Sequence, residues 1–133
     1  AALDRAFVMP GVTRVTPGSF DRNRALVSKL EEILRQDASR PLYNDELASA
    51  VGASVRSIHT AVHAIHGVSP HQFLRQKRLW MLRSQLVKGI PGLTVQIAAQ
   101  AHGFWHMSDL SKSYKERFGE SPSDTLARAK RLS

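Results

Sequence analysis

Two polar faces in this chain have side chains that could read another molecule. Between Ser54 and His66, Val55, Ile58, Val62 and Ile65 recur at helical spacing and point to a core, leaving Arg56, His59, Thr60 and His63 on the opposite face. Between His106 and Phe118, Leu110, Tyr114 and Phe118 take the inner face. Met107, Ser108, Asp109, Ser111 and Lys112 then form the outer face of the first turns. Arginine, histidine and lysine donate hydrogen bonds, aspartate accepts them, and threonine and methionine offer methyl groups. A helix that enters a major groove by its N-terminal part meets base edges with three or four side chains of these kinds. For the first segment alone, an ordinary solvated polar face fits equally well.

Other chemistry finds less support. His59, His63 and His66 fall at i, i+4 and i+7, a spacing able to hold a metal, and His59 to His63 echoes half of a zinc-protease pattern. The glutamate of that pattern is missing, no carboxylate or cysteine completes the set, and His66 abuts the helix end, so no metal site is assigned. The carboxylates are scattered, and there is no glycine-rich phosphate loop, nucleophile elbow or acid and base pair. No catalytic residue and no cofactor are expected. Phe73 and Trp80 read as core residues rather than as a ligand pocket.

The element that must position both faces is PHQFLRQKRLWMLRSQLVK, Pro70 to Lys88. Ser69 as cap, Pro70 at the first helical position and Gln72 three residues past the cap predict a helix start. Phe73, Leu74, Lys77, Met81 and Leu82 recur at helical spacing, Trp80 and Leu86 widen the apolar stripe, and Arg75, Arg78, Arg83 and Lys88 fall on the remainder. Gly89 and Pro91 end it. Each flank carries one copy of a pattern. Leu47-Ala48 recurs as Ile97-Ala98, Ile58 as Leu110, Val62 as Tyr114, Gly67 as Gly119, Ser69-Pro70 as Ser121-Pro122 and Leu74 as Leu126, with the second turn two residues longer. Helix, short turn, helix, glycine and Ser-Pro cap, repeated, is a tandem array of helix-turn-helix units.

The first unit is capped by Asn44, with Asp45 and Glu46 at the positive end of the helix dipole, and runs through Leu47, Ala48 and Val51 to a turn at Gly52 and a second cap at Ser54. The second is capped by Thr94, turns Ile97, Ala98 and Ala101 inward and passes through Gly103-Phe104. Ahead of both, Leu26, Val27, Leu30, Ile33 and Leu34 mark one face of a packing helix capped by Ser19 or Asp21. Residues 1–19, with Pro10, Gly11, Pro17 and Gly18 and no sustained period, read as a linker or tail. The absence of an initiator methionine suggests a piece of a longer protein.

Charge narrows the class of partner. Nineteen Lys and Arg against 11 Asp and Glu give a net charge of +8 over 133 residues, which favours a polyanion such as nucleic acid. With no cysteine, disulfides and thiolate metal sites are excluded. No apolar run approaches the roughly 20 residues of a membrane span, and the start lacks the apolar stretch of a secretion signal.

The chain resembles the DNA-binding domain of the AraC/XylS family of bacterial transcription regulators, over about Phe20 to Arg131. The match is most specific in GFWHMSDLSKSYKERFGESP, Gly103 to Pro122, and looser in LASAVGASVRSIHTAVHAIHGVSP. Lys112 stands where arginine is frequent in the family, Trp105 where a small or polar residue is usual, and Leu110 where an aromatic is. The resemblance implies an all-α domain over 20–133 with seven helices. Two helix-turn-helix subdomains, about 43–67 and 94–119, would be joined by a long linker helix, 70–88. By similarity, Arg56, His59 and Thr60 would read one box of a double-stranded DNA site and Met107, Ser108, Asp109, Ser111 and Lys112 another.

In chemical terms, Arg56, His59 and Lys112 suit guanine, Asp109 a cytosine amino group, and the methyls of Thr60 and Met107 thymine. Ser54, Arg75, Lys77, Arg78, Lys115 and Arg117 are candidates for phosphate, which gives affinity and register without sequence information. The family resemblance further implies a cytoplasmic regulator, an activator that contacts RNA polymerase. A small-molecule effector would act only through a domain absent from this chain. The alternative is a protein interaction module that contacts RNA polymerase and has only non-specific affinity for DNA.

Overall fold

The structure, a computed structural model, describes residues 17–132. Among them are seven helices and no strand: α1 (Pro17–Gln36), α2 (Asn44–Val51), α3 (Val55–His66), α4 (Pro70–Val87), α5 (Val95–Ala101), α6 (Met107–Phe118) and α7 (Pro122–Leu132). The expected all-helical fold is therefore present.

Helix ends lie where side chains can satisfy the spare amide hydrogens. Ser54 Oγ accepts from Ser57 N at 3.1 Å, and Thr94 Oγ1 from Ile97 N at 3.1 Å. Ser69 and Gln72 form a reciprocal capping box, at 3.2 and 3.1 Å, and Ser121 with Asp124 repeats it ahead of α7, at 3.1 and 3.3 Å. Each such cap is worth about 1 kcal/mol. Two expected caps differ. Tyr43 holds the cap position of α2 without a side-chain bond, and Asn44, the first helical residue, instead bonds through Oδ1 to His71 Nε2 at 2.9 Å, tying the starts of α2 and α4 together. α1 begins at Pro17, ahead of both Ser19 and Asp21, and so takes in the end of the stretch read as a tail. Residues 1–16 of that stretch lie outside the described residues.

The interior forms two clusters joined by α4. Val27, Leu30, Leu34, Leu47, Val51, Ile58 and Val62 pack with Phe73 and Leu74 from the start of α4. Ala98, Ala99, Phe104, Leu110, Tyr114 and Leu126 pack with Leu79, Leu82 and Leu86 from its later turns. α1, α2 and α3 pack on one another, as do α5, α6 and α7, and members of both sets pack on α4. At 18 residues, α4 is about 27 Å long.

Four inward assignments are corrected. Val55, the first residue of α3, is exposed, because the buried face of the helix is made by Ile58, Ala61 and Val62. Ile97 and Ala101 also face outward, Ile97 at 55% exposure, while Ala98 and Ala99 are fully buried. Two adjacent alanines let the seven-residue α5 approach its neighbours closely, and the bulkier Ile97 lies a helical step away from that contact. Trp80 is 49% exposed rather than core, its ring edge-on to Phe118 at 4.9 Å. Arg78 is the reverse case: placed on the cation face by the sequence, it is buried, at 9%.

Candidate nucleic-acid interface

The first candidate reading helix, α3, is presented by a tight turn. Gly52 adopts a left-handed φ of +76° and donates to Ala48 O at 2.9 Å, closing α2. Two residues later Ser54 caps α3, so the chain reverses within a few residues, and Ile58, Ala61 and Val62 anchor the inner face. Arg56, His59 and Thr60 are all exposed on the outer side. The His59 ring lies parallel to that of His63, 6.3 Å away. Among the described residues the side chains of Arg56 and Thr60 make no hydrogen bond or ion pair, so their side-chain donors are free for an external partner.

The second turn is built differently. His102 closes α5, its Nδ1 at 2.8 Å from Ala98 O, and Phe104 N donates to Ala99 O at 2.9 Å, drawing the buried Phe104 ring into the second core. Between them Gly103 sits at φ +82°, and a Cβ there would collide with Arg78 Nη1 and come within 2.9 Å of Ala38 O. Only glycine meets both the conformation and the space. α6 follows, with His106 at the cap position making no side-chain bond and Leu110 and Tyr114 fully buried. Ser108, Asp109, Ser111 and Lys112 are exposed, Met107 is half-buried against the second core, and Trp105 projects from the turn.

α6 is held from behind by a polar cluster. The buried Tyr114 hydroxyl donates to Thr125 Oγ1 at 2.8 Å, Thr125 in turn donates to Glu120, and Arg128 grips both Glu120 oxygens at 2.8 and 2.9 Å. The Arg128 hydrogen bonds first, then that of Thr125, pull the Glu120 carboxyl down to about 2. Lys130, in the last turn of α7, donates to Leu93 O at 2.8 Å.

The candidate phosphate residues are sorted by the structure. Lys115 is exposed and makes no ion pair among the described residues. Arg117 is exposed with its guanidinium over the Trp80 ring at 5.9 Å. Arg75 leaves α4 to donate to Ser113 Oγ on α6 at 2.8 Å and lies over the Phe104 ring at 5.5 Å, which brings its charge beside α6. Lys77 pairs with Glu31 at 3.2 Å, and the Ser54 hydroxyl serves its own cap and donates to Ser57 Oγ at 2.9 Å. Arg78 is turned inward: Nη2 donates to Arg40 O at 2.9 Å, and Nη1 to His102 O at 3.3 Å and to Ala38 O. Burial lowers its pKa from the usual arginine value, opposed by the charge of Asp37. Its donors are turned to backbone carbonyls inside the fold rather than to the surface. A missed signal was present: Leu74, Arg78 and Leu82 stand four residues apart, so the arginine occupies the middle of the buried row.

Among the described residues, no group of three histidines, cysteines or carboxylates could hold a metal ion, and no helix is long and apolar enough to cross a membrane. His66, third member of the histidine series, stacks on Phe73 at 4.6 Å.

Known proteins bear on this arrangement. A family described as a helix-turn-helix domain matches residues 47–128, both units and the helix between them. The solved structure of a probable AraC family transcriptional regulator from Rhodopseudomonas palustris is 34% identical, covers 78% of this chain and 96% of its own, and superposes with a TM-score of 0.68. The chain belongs to the AraC/XylS family. XylDLEGF operon transcriptional activators 3 and 1 of Pseudomonas putida are 31% and 26% identical to this AraC-type chain, each over 84% of it. The chain spans about a third of the length of these two relatives, 32% and 34%. The family consists of regulators of transcription, not enzymes.

Proposed function

We propose that this AraC-type chain binds double-stranded DNA at a specific sequence and is the DNA-reading part of a bacterial transcription activator. α3 and α6 enter successive major grooves on one face of the duplex. Arg56, His59 and Thr60 read one box; Met107, Ser108, Asp109, Ser111 and Lys112 read the other. Arg75, Lys115 and Arg117 supply phosphate contacts beside them. The observation that carries this reading is the pair of exposed outer faces, each at the start of a helix that follows a tight turn and each rich in side chains without internal partners. Because the two units are unlike copies in one chain, the site is asymmetric, with boxes about one helical turn, roughly 10 base pairs, apart. Contact with RNA polymerase, and response to an effector through a further domain, belong to the same proposal; the names of the Pseudomonas putida relatives support its activator part.

The test is selection of bound duplexes from a random pool about 25 base pairs long at near-physiological salt. An asymmetric motif of two boxes is expected. Binding that follows only the salt concentration, with no motif, would refute sequence reading and favour a protein interaction module.

A further inference from the structure

We infer that Arg78 is a positioning residue: it clamps the loop 37–43 to the turn 102–103 and thereby fixes the spacing and angle between the two reading helices, α3 and α6. This rests on the DNA-reading proposal above for its consequence, but not for its geometry. α4 is the helix on which both sets of helices pack, so a bend or twist of α4 would move α3 relative to α6 with little else to resist it. Arg78 sits at the junction. Leu74, one turn before it, belongs to the first core and Leu82, one turn after, to the second. From this point its guanidinium reaches Ala38 O and Arg40 O in the loop after α1, and His102 O in the turn that launches α6. Gly103 lacks a side chain where the loop, the turn and the guanidinium meet.

The chemistry of the residue argues for geometry over simple burial. A leucine or methionine would fill the same row without desolvating a cation. What a guanidinium adds is a planar fork whose donors fix the directions of carbonyls on two separate segments, which a lysine cannot reproduce. Asp37 stands in the same loop, where its charge favours the buried cation. Asp37 is in turn held by Ser39, which donates to it through the hydroxyl and, at 3.1 Å, through the amide.

The experiment uses the whole 133-residue chain, which lacks cysteine and so accepts spin labels at chosen sites. Ala64→Cys in α3 and Glu116→Cys in α6, both exposed, report the distance between the helices. With Arg78 present a single narrow distribution is expected, and with Arg78→Met a broadened or split one. On duplexes carrying both boxes, Arg78→Met should lose about tenfold in affinity at the optimal spacing while keeping its affinity for each single box, because only the coupling between linked modules is impaired. The preference for that spacing over one base pair more or less should flatten. A distribution as narrow as that of the parent overturns the inference whatever the DNA data show, as does a uniform loss on one-box and two-box duplexes. Should Arg78→Met fail to fold, Arg78→Lys decides: broadening supports the fork, and a parental distribution overturns it. If the parent itself shows no two-box preference, the DNA-reading proposal fails, and the distance measurement still judges the clamp.

Discussion

Replacing Arg56 with alanine tests the proposed base reading apart from the fold. Arg56 is exposed on α3 and its side chain makes no hydrogen bond or ion pair among the described residues, so its truncation should leave the fold within about 0.5 kcal/mol, the usual range for such surface positions. Against a guanine in its box it would forfeit about 1 to 3 kcal/mol, which is roughly 5- to 150-fold in affinity. Lys112→Ala should do the same at the other box, toward the lower end, because an ammonium does not make the paired contacts of a guanidinium. Arg75→Ala is the contrast. It loses the Ser113 bond and the Phe104 contact, and should weaken binding to every sequence alike. The assay is titration of each variant against a panel of duplexes with single base changes in either box, with thermal melting in parallel. Arg56→Ala should flatten the preference at one position and leave the panel otherwise unchanged. If all three variants reduced affinity by the same factor for every duplex, the assignment of reading faces would be wrong.

Two further outcomes concern stability. Leu110→Ala and Ile58→Ala each empty a buried position in a different cluster and should each cost about 2 to 5 kcal/mol by denaturant titration; near-neutral values would mean that the cores are looser than their burial implies. Glu120 titrates at about 2 in the folded chain against an ordinary 4.5, so its contribution is complete above the ordinary value and fades as pH falls toward 2. The melting temperatures of the parent and Glu120→Gln should therefore differ at pH 7 and converge in acid. Equal values at pH 7 would remove Glu120 from the support of α6.

What could be read from the sequence follows from how local each signal is. Ser54, Ser69 with Gln72, Thr94 and Ser121 declare helix starts because a cap needs only residues within three positions, and all four hold caps. Asn44 misled because a distant residue, His71, competes for its side chain. Faces were legible where the apolar repeat is long, as at Ile58 with Val62 or Leu110 with Tyr114. They were not where α5 packs by alanines or where charge type was allowed to outweigh position. Arg78 has the charge of a surface residue but sits between Leu74 and Leu82, and the carbonyls that hold it, at 38, 40 and 102, are remote in sequence. The outer faces of α3 and α6 were legible because they are what remains once a core face is fixed.

The same sorting of cations bears on how binding should respond to salt. Five cations were candidates for phosphate on sequence alone, and each phosphate neutralised on duplex DNA contributes about −0.9 to the slope of log affinity against log salt, so this set would give a slope of about −5. The structure withdraws Arg78, whose donors are spent on carbonyls, and pairs Lys77 with Glu31, a bond that a phosphate would first have to break. Arg75, Lys115 and Arg117 remain, and their share would be about −3. Lys115→Gln and Arg117→Gln should each make the slope shallower by about 1, while Lys77→Gln should leave it nearly unchanged. Titrations from low to near-physiological salt measure this directly. A fall of about one unit on Lys77→Gln would mean that the Glu31 pair opens on DNA and that α1, at whose surface Glu31 stands, lies closer to the duplex than two reading helices require.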